Sequence, residues 1–96
     1  MKRVAWEAQA LFDFSEALSY LAARDERAAL KLEQRVSDAI TMLARHSIGR
    51  STKTDGVRQK LVLATSYRVY YRETSTELTV LRVWHQRRKG APEGIE

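Results

Sequence analysis

Two periodicities divide the chain. Val4 and Trp6 alternate with smaller or polar neighbours, which predicts a short strand over Arg3–Trp6. From Ala8 the apolar spacing changes to three and four residues. Leu11, Phe14, Leu18 and Leu21 form one face of a helix, and Asp13, Glu16 and Arg24 fall away from that stripe. Asp25 is a suitable N-cap for a second helix, with Glu26 in the first turn, where an acid complements the helix dipole. Ala29, Leu32, Val36, Ala39, Ile40 and Leu43 carry its stripe to about Arg45. The joint between the two stripes is short, so the helices form an antiparallel hairpin.

Ser47 to Gly56 contains Gly49, Gly56 and a run of Ser, Thr, Lys and Asp, the composition of a loop. Beyond it three β-type segments follow: Val57 to Ala64, Tyr67 to Glu73 and Glu77 to His85. Their joints, Thr65-Ser66 and Thr74-Ser75-Thr76, have hairpin length. Residues 86–96 hold Arg87, Arg88, Lys89, two glycines and the single proline, and read as a basic, irregular or mobile tail. The expected fold is α+β: an N-terminal strand, a two-helix antiparallel hairpin and a three-stranded antiparallel meander, in one domain over 1–96.

Such a meander buries one face under the helices and leaves the other open. Alternation assigns Leu61, Leu63, Val69, Tyr71, Leu81 and Val83 to the covered face. The open face would then present Arg58, Lys60, Arg68, Tyr70, Arg72, Arg82 and Trp84, five cations with two aromatic rings among them. A surface of this kind holds phosphates and stacks bases, or docks an acidic amphipathic protein segment. These seven residues are the expected target-binding set.

Length and composition narrow the class. Ninety-six residues make one domain, and 44% hydrophobic content is that of a globular chain. Seventeen Lys and Arg against 12 Asp and Glu give a net charge of +5, which favours an acidic partner. The absence of cysteine excludes disulfides and thiolate zinc sites. No apolar run reaches membrane-spanning length, and the basic N-terminus leads into an amphipathic segment instead of a signal-type apolar stretch. The expected location is the cytoplasm, with no membrane partner.

Candidate chemistry is sparse. Of the two histidines, His46 falls at a helix end and reads as structural, whereas His85 closes the last strand beside the basic tail. No His or Cys pair has metal-ligand spacing, and neither a Gly-rich phosphate loop nor a serine-nucleophile motif occurs. No cofactor and no metal are expected.

Four segments together resemble the RelE/ParE toxin superfamily of type II toxin-antitoxin systems, and its ParE branch most closely. They are Leu43 to Arg50 with its Ile48-Gly49-Arg50 turn, Gly56-Val57-Arg58-Gln59-Lys60, Tyr67-Arg68-Val69-Tyr70-Tyr71-Arg72, and Leu81-Arg82-Val83-Trp84-His85. Ser47 stands where ParE chains often carry proline. The resemblance implies a cognate antitoxin that wraps the toxin with an extended helix or strand. For the ParE branch it implies inhibition of DNA gyrase, a block to replication and a role in plasmid stabilisation. For the RelE branch it implies cleavage of mRNA on the ribosome, which arrests translation. In that second case Arg58, Arg68, Arg82 and His85 are the catalytic candidates. No tyrosine follows Tyr71, so the variant with a C-terminal catalytic tyrosine has no counterpart here, and the resemblance leaves open whether the chain is an enzyme.

Overall fold

A computed structural model describes residues 1–95. Its elements run β1 (Arg3–Trp6), α1 (Ala8–Ala22), α2 (Glu26–Arg45), β2 (Arg50–Ser51), β3 (Arg58–Leu61), β4 (Tyr67–Glu73) and β5 (Glu77–His85). The fold is α+β, as the sequence predicts. The strands form one mixed sheet in the order β1-β5-β4-β3-β2. The β3-β4-β5 meander is antiparallel, and β1 lies parallel to β5 on its outer side. The expected loop contains one short strand, β2, which pairs Arg50 with Gln59 and Ser51 with Arg58.

The helix starts differ. Asp25 caps α2 by accepting a hydrogen bond from the Arg27 amide at 3.0 Å. Glu7, the residue before α1, makes no side-chain cap. Its amide instead donates to the Val80 carbonyl at 2.9 Å, so the last ladder bond of β1 also sets where α1 begins. The two helices pack on one sheet face over a core that includes Leu32, Val36, Leu43, Val69, Tyr71 and Leu78.

Strand parity departs from simple alternation at two places. In β3, Lys60 pairs with Val69 and Arg58 with Tyr71, so both cations share the helix-side face of the sheet. Val62 is fully buried, whereas Leu61 and Leu63 are 48% and 77% exposed. The expected core assignment of Leu61 and Leu63 is therefore reversed. Pairing with β4 fixes the parity of β3, and it outweighs the greater bulk of the two leucines. In β5 a bulge sets one extra residue, Leu81, between Val80 opposite Tyr71 and Arg82 opposite Tyr70. Val80 and Val83 consequently both face the helices, and Leu81 packs on the other side.

That other side is not open. Val57, Tyr70, Trp84 and Ile95 form a second buried cluster, with Leu81 and Ala91 against it. Pro92 is fully buried as well. Residues 86–95 contain no helix or strand, but Ala91 to Ile95 lie across the sheet. The apolar residues of the tail explain this, because Tyr70, Trp84 and Leu81 would otherwise leave an apolar patch in water.

Gly49 joins the loop to the core. A Cβ there would lie 1.8 Å from the Tyr71 hydroxyl oxygen and 2.6 Å from its Cζ. The Ile48-Gly49-Arg50 turn and the second tyrosine of β4 are thus one packing unit. The Tyr71 hydroxyl is buried, with the Gly49 backbone as its polar neighbour and no other hydrogen-bond partner among the described residues. Gly49→Ala should destabilise the fold by about 2 kcal/mol, in the range of overpacked cores. Tyr71→Phe alone should cost about 1 kcal/mol or less, because it removes a buried oxygen whose one polar neighbour is the Gly49 backbone. The double variant should recover part of the Gly49→Ala loss. Urea unfolding of the three variants checks this, and a fully stable Gly49→Ala would contradict it.

Candidate functional site

The seven residues expected to share an open face divide between the two faces of the sheet. Arg58 and Lys60 lie on the helix-side face near the β2 edge. The Arg58 guanidinium donates to the Gly49 carbonyl at 2.9 Å and approaches Glu73 at 3.6 Å. Arg68, Tyr70, Arg72, Arg82 and Trp84 belong to the second face, since Arg68 pairs with Trp84 and Tyr70 with Arg82. Of these, Tyr70 and Trp84 are only 3% and 7% exposed, beneath the tail. They are a floor for Pro92 and Ile95 and present no rings to solvent. Trp84 also carries Arg88 over its face at 3.8 Å, and its indole N–H is buried with no acceptor among the described residues.

Arg82 is committed elsewhere. Its guanidinium donates to both Asp13 carboxylate oxygens, at 2.7 and 3.0 Å, and Asp13 also accepts the Val83 amide at 3.1 Å. Hydrogen bonding to Asp13, against the opposing effect of burial, raises the guanidinium pKa further, and Glu93 of the tail adds to this. Asp13 does not stand out as a site residue in the sequence, where it falls away from the apolar stripe of α1. Its signal is an acid between Phe12 and Phe14 in an apolar stretch.

Glu73 is the second missed residue. Lys2 donates to it at 2.5 Å, Ser47 donates to its other oxygen, and Arg58 stands beside it. Burial alone would push the Glu73 carboxyl up. The hydrogen bonds from Lys2 and Ser47, with the charges of Lys2 and Arg58, outweigh it and hold the group below its ordinary value. This cluster ties the N-terminus, the end of α2 and β4 together.

The four nuclease candidates do not converge. Arg58 is level with Tyr71 and His85 with Tyr67, four residues apart along β4 or roughly 13 Å at strand spacing. Arg68 faces the other side and donates to Gln59 at 2.9 Å, and Arg82 is bound to Asp13. His85 meets Tyr67 edge-on at 4.9 Å between ring centres, and its Nδ1 accepts the Arg87 amide at 3.0 Å. His85 and Arg82 fall on opposite faces, as strand alternation at this end predicts. Among the described residues, no group of three or more His, Cys, Asp or Glu is placed to hold a metal ion. No helix among them is long and apolar enough to cross a membrane.

The family model for the ParE toxin of type II toxin-antitoxin systems, parDE, matches residues 4–90. The chain belongs to the ParE toxin family. Solved structures share its fold. One is the chromosomal ParDE toxin-antitoxin system from P. aeruginosa, 20% identical with a TM-score of 0.78, covering 88% of this chain and 96% of that one. A second is the E. coli DinJ-YafQ toxin-antitoxin complex, 14% identical with a TM-score of 0.62, covering 88% and 91%. A third is the YoeB/ParE toxin from Agrobacterium tumefaciens, 17% identical with a TM-score of 0.60, covering 86% and 96%. No curated protein matches.

For this ParE-family chain the basic side chains now separate by job. Arg82→Ala should destabilise by roughly 3 kcal/mol, since it strands an Asp13 carboxylate that is 6% exposed. Arg68→Ala should stay within about 1 kcal/mol, because it loses one partly exposed hydrogen bond. Equal denaturation midpoints for the two variants would contradict the Asp13 clamp. Glu73 sets the acid limit. Its folded-state pKa is depressed, so its contribution is present above the ordinary carboxylate value of about 4.3 and is lost as pH falls through the folded value. Stability followed by urea titration from pH 6 to pH 3 should therefore fall more steeply for the wild type than for Glu73→Gln. Parallel profiles would remove Glu73 from that role.

Proposed function

We propose that this chain is the toxin of a type II pair that inhibits DNA gyrase by binding, blocks replication in the cytoplasm and is neutralised by a cognate antitoxin. The ParE family match over residues 4–90 carries this reading. The site geometry supports binding over catalysis. General acid-base cleavage needs a proton donor or acceptor within hydrogen-bond reach of the reacting group and a charge held beside it. Arg58 and Arg82 are engaged with Glu73 and Asp13, and Arg68 is on the face opposite His85. Around the second face, Lys53, Arg68 and Arg72 have no carboxylate partner among the described residues. These cations, beside the strap formed by residues 91–95, are the surface we assign to an acidic protein target.

The antitoxin needs a different surface. Leu11, Phe12 and Tyr20 on α1 and Leu30 on α2 are 53%, 60%, 58% and 66% exposed, an apolar group on the helix pair that suits an amphipathic helix. A partner there would leave the second face free or reach it by an extended tail.

Ribosome-dependent mRNA cleavage is the second reading, supported by His85 at the end of β5. Two assays separate the readings: gyrase supercoiling and cleavage of ribosome-bound mRNA, each run with wild type and His85→Ala. Gyrase inhibition should be clear in the wild type and reduced less than about fivefold in His85→Ala, since binding moves no proton. Under the nuclease reading, the same change would cost roughly a hundredfold or more in cleavage rate. Wild-type cleavage without any effect on supercoiling would overturn the first reading.

A further inference from the structure

The described cations that lack carboxylate partners are not confined to the second face. Arg24, at the end of α1, lies over the Tyr20 ring at 3.8 Å and donates to the Tyr20 carbonyl at 3.1 Å. Arg88, just past β5, lies over Trp84 at 3.8 Å. Each guanidinium is thus held in place by a ring face and has no ion pair among the described residues. Both line one open cleft of about 720 Å³ between α1 and the end of β5.

Tyr20, Tyr67 and His85 form a wall of this cleft, and the same three rings line a neighbouring cleft of about 440 Å³. That second cleft holds Lys31 and Arg35 of α2, which also lack ion pairs among the described residues. An aromatic ridge therefore separates two pairs of unneutralised cations. The ridge is polar at its edges. Burial, and then Tyr20, push the Tyr67 phenol above its ordinary value, which keeps its proton in place. With His85 Nδ1 accepting the Arg87 amide, a neutral imidazole carries its proton on Nε2 and can donate. Two acids line the larger cleft. Asp13 is neutralised by Arg82, and Glu16 is exposed at the rim.

We propose that this ridge and its two flanking clefts bind single-stranded nucleic acid. An unpaired base stacks on the Tyr20 ring face that Arg24 does not cover, and the phosphates on either side meet Arg24 with Arg88 and Lys31 with Arg35. Fixed guanidiniums suit phosphate oxygens because they present several N–H donors without further ordering. Stacking on a ring accepts any base, so the site reads no sequence. Duplex DNA is excluded, because its bases already stack on each other and cannot reach the ridge. This site uses none of Lys53, Arg68 and Arg72, the cations assigned to gyrase, and stands whether or not that target is correct. It shares Tyr20 with the apolar surface assigned to the antitoxin, so an antitoxin helix there would compete with the strand.

The test is fluorescence anisotropy of the whole purified chain with a labelled 12-nucleotide single strand, its duplex, and a base-free sugar-phosphate strand of equal charge. The single strand should bind at least tenfold more tightly than the other two. Tyr20→Ala should weaken it roughly tenfold, as for loss of one stacked base. Arg24→Gln with Arg88→Gln should lower the slope of log affinity against log salt by about 1.4, or about 0.7 per phosphate contact on a single strand. Arg45→Gln with Arg50→Gln, both exposed, removes equal charge elsewhere and should leave that slope unchanged. Glu16→Gln should tighten binding. Circular dichroism and thermal melting confirm that the variants are folded, and Tyr20 and Arg24, both exposed, are safe positions to change. Equal binding of the base-free strand, or equal losses in the control pair, would show attraction to net charge alone and overturn the proposal.

Discussion

The architecture turns on how β5 is held after β1 ends. β1 pairs with β5 only from Glu77 to Val80, because the chain leaves at Trp6 to start α1. The outer edge of β5 from Leu81 onward would otherwise carry unpaired amides, a buried cost and a template for foreign strands. Asp13 takes the place of the missing strand. One carboxylate accepts the Val83 amide and holds the Arg82 guanidinium, so a helix side chain closes the edge and fixes α1 against the sheet. The bulge at Leu81 falls at the same level. It is what lets Val80 and Val83 both reach the helix-side core while Leu81 and Trp84 point away.

Once the bulge has put Leu81 and Trp84 on the second face beside Tyr70, that face is apolar at its centre. A sheet face with such a centre needs a cover. The helix hairpin is already used on the first side, so the cover is the last stretch of the chain. Ala91, Pro92 and Ile95 supply it without regular structure, and Gly90 and Gly94 turn with φ of 70° and 81°. Positive φ of this kind suits glycine, which has no Cβ to clash. The result is a sheet with two covers of very different strength: two packed helices on one side and a short strap on the other.

Most of the elements were legible in the sequence, because periodicity is a local signal. Arg3–Trp6, Glu26–Arg45, Tyr67–Glu73 and Glu77–His85 follow directly from spacings of two or of three and four. Face assignment was less legible, since it depends on register with a neighbour. The parity of β3 comes from the pairing of Lys60 with Val69, and nothing within Val57 to Ala64 encodes it. The bulge in β5 is likewise invisible to alternation, which assumes that every residue counts once. Asp13 and Glu73 left only weak signals, because their partners Arg82 and Lys2 are 69 and 71 positions away. For the target surface, the basic composition was readable and its partition was not. Tyr70 and Trp84 looked like exposed stacking rings until the tail was placed over them.

That partition bears on function. A net charge of +5 describes the whole chain, but a partner meets only cations whose charge is not already neutralised. Lys2, Arg58 and Arg82 are paired with part-buried carboxylates and help hold the fold together, and Arg3 makes an exposed pair with Glu77. Replacing Arg82 tests packing before it tests recognition, so loss of toxicity in such a variant says little about the target. Arg68 and Arg72 on the second face, and Arg24 and Arg88 beside the aromatic ridge, have no such duty. The fold can lose them with little penalty, and no carboxylate among the described residues competes for them. A charged side chain kept in that state contributes little to stability, because exposed charges are well solvated. What it retains is attraction for an anionic partner, and it is on these unengaged residues that the recognition chemistry of this chain rests.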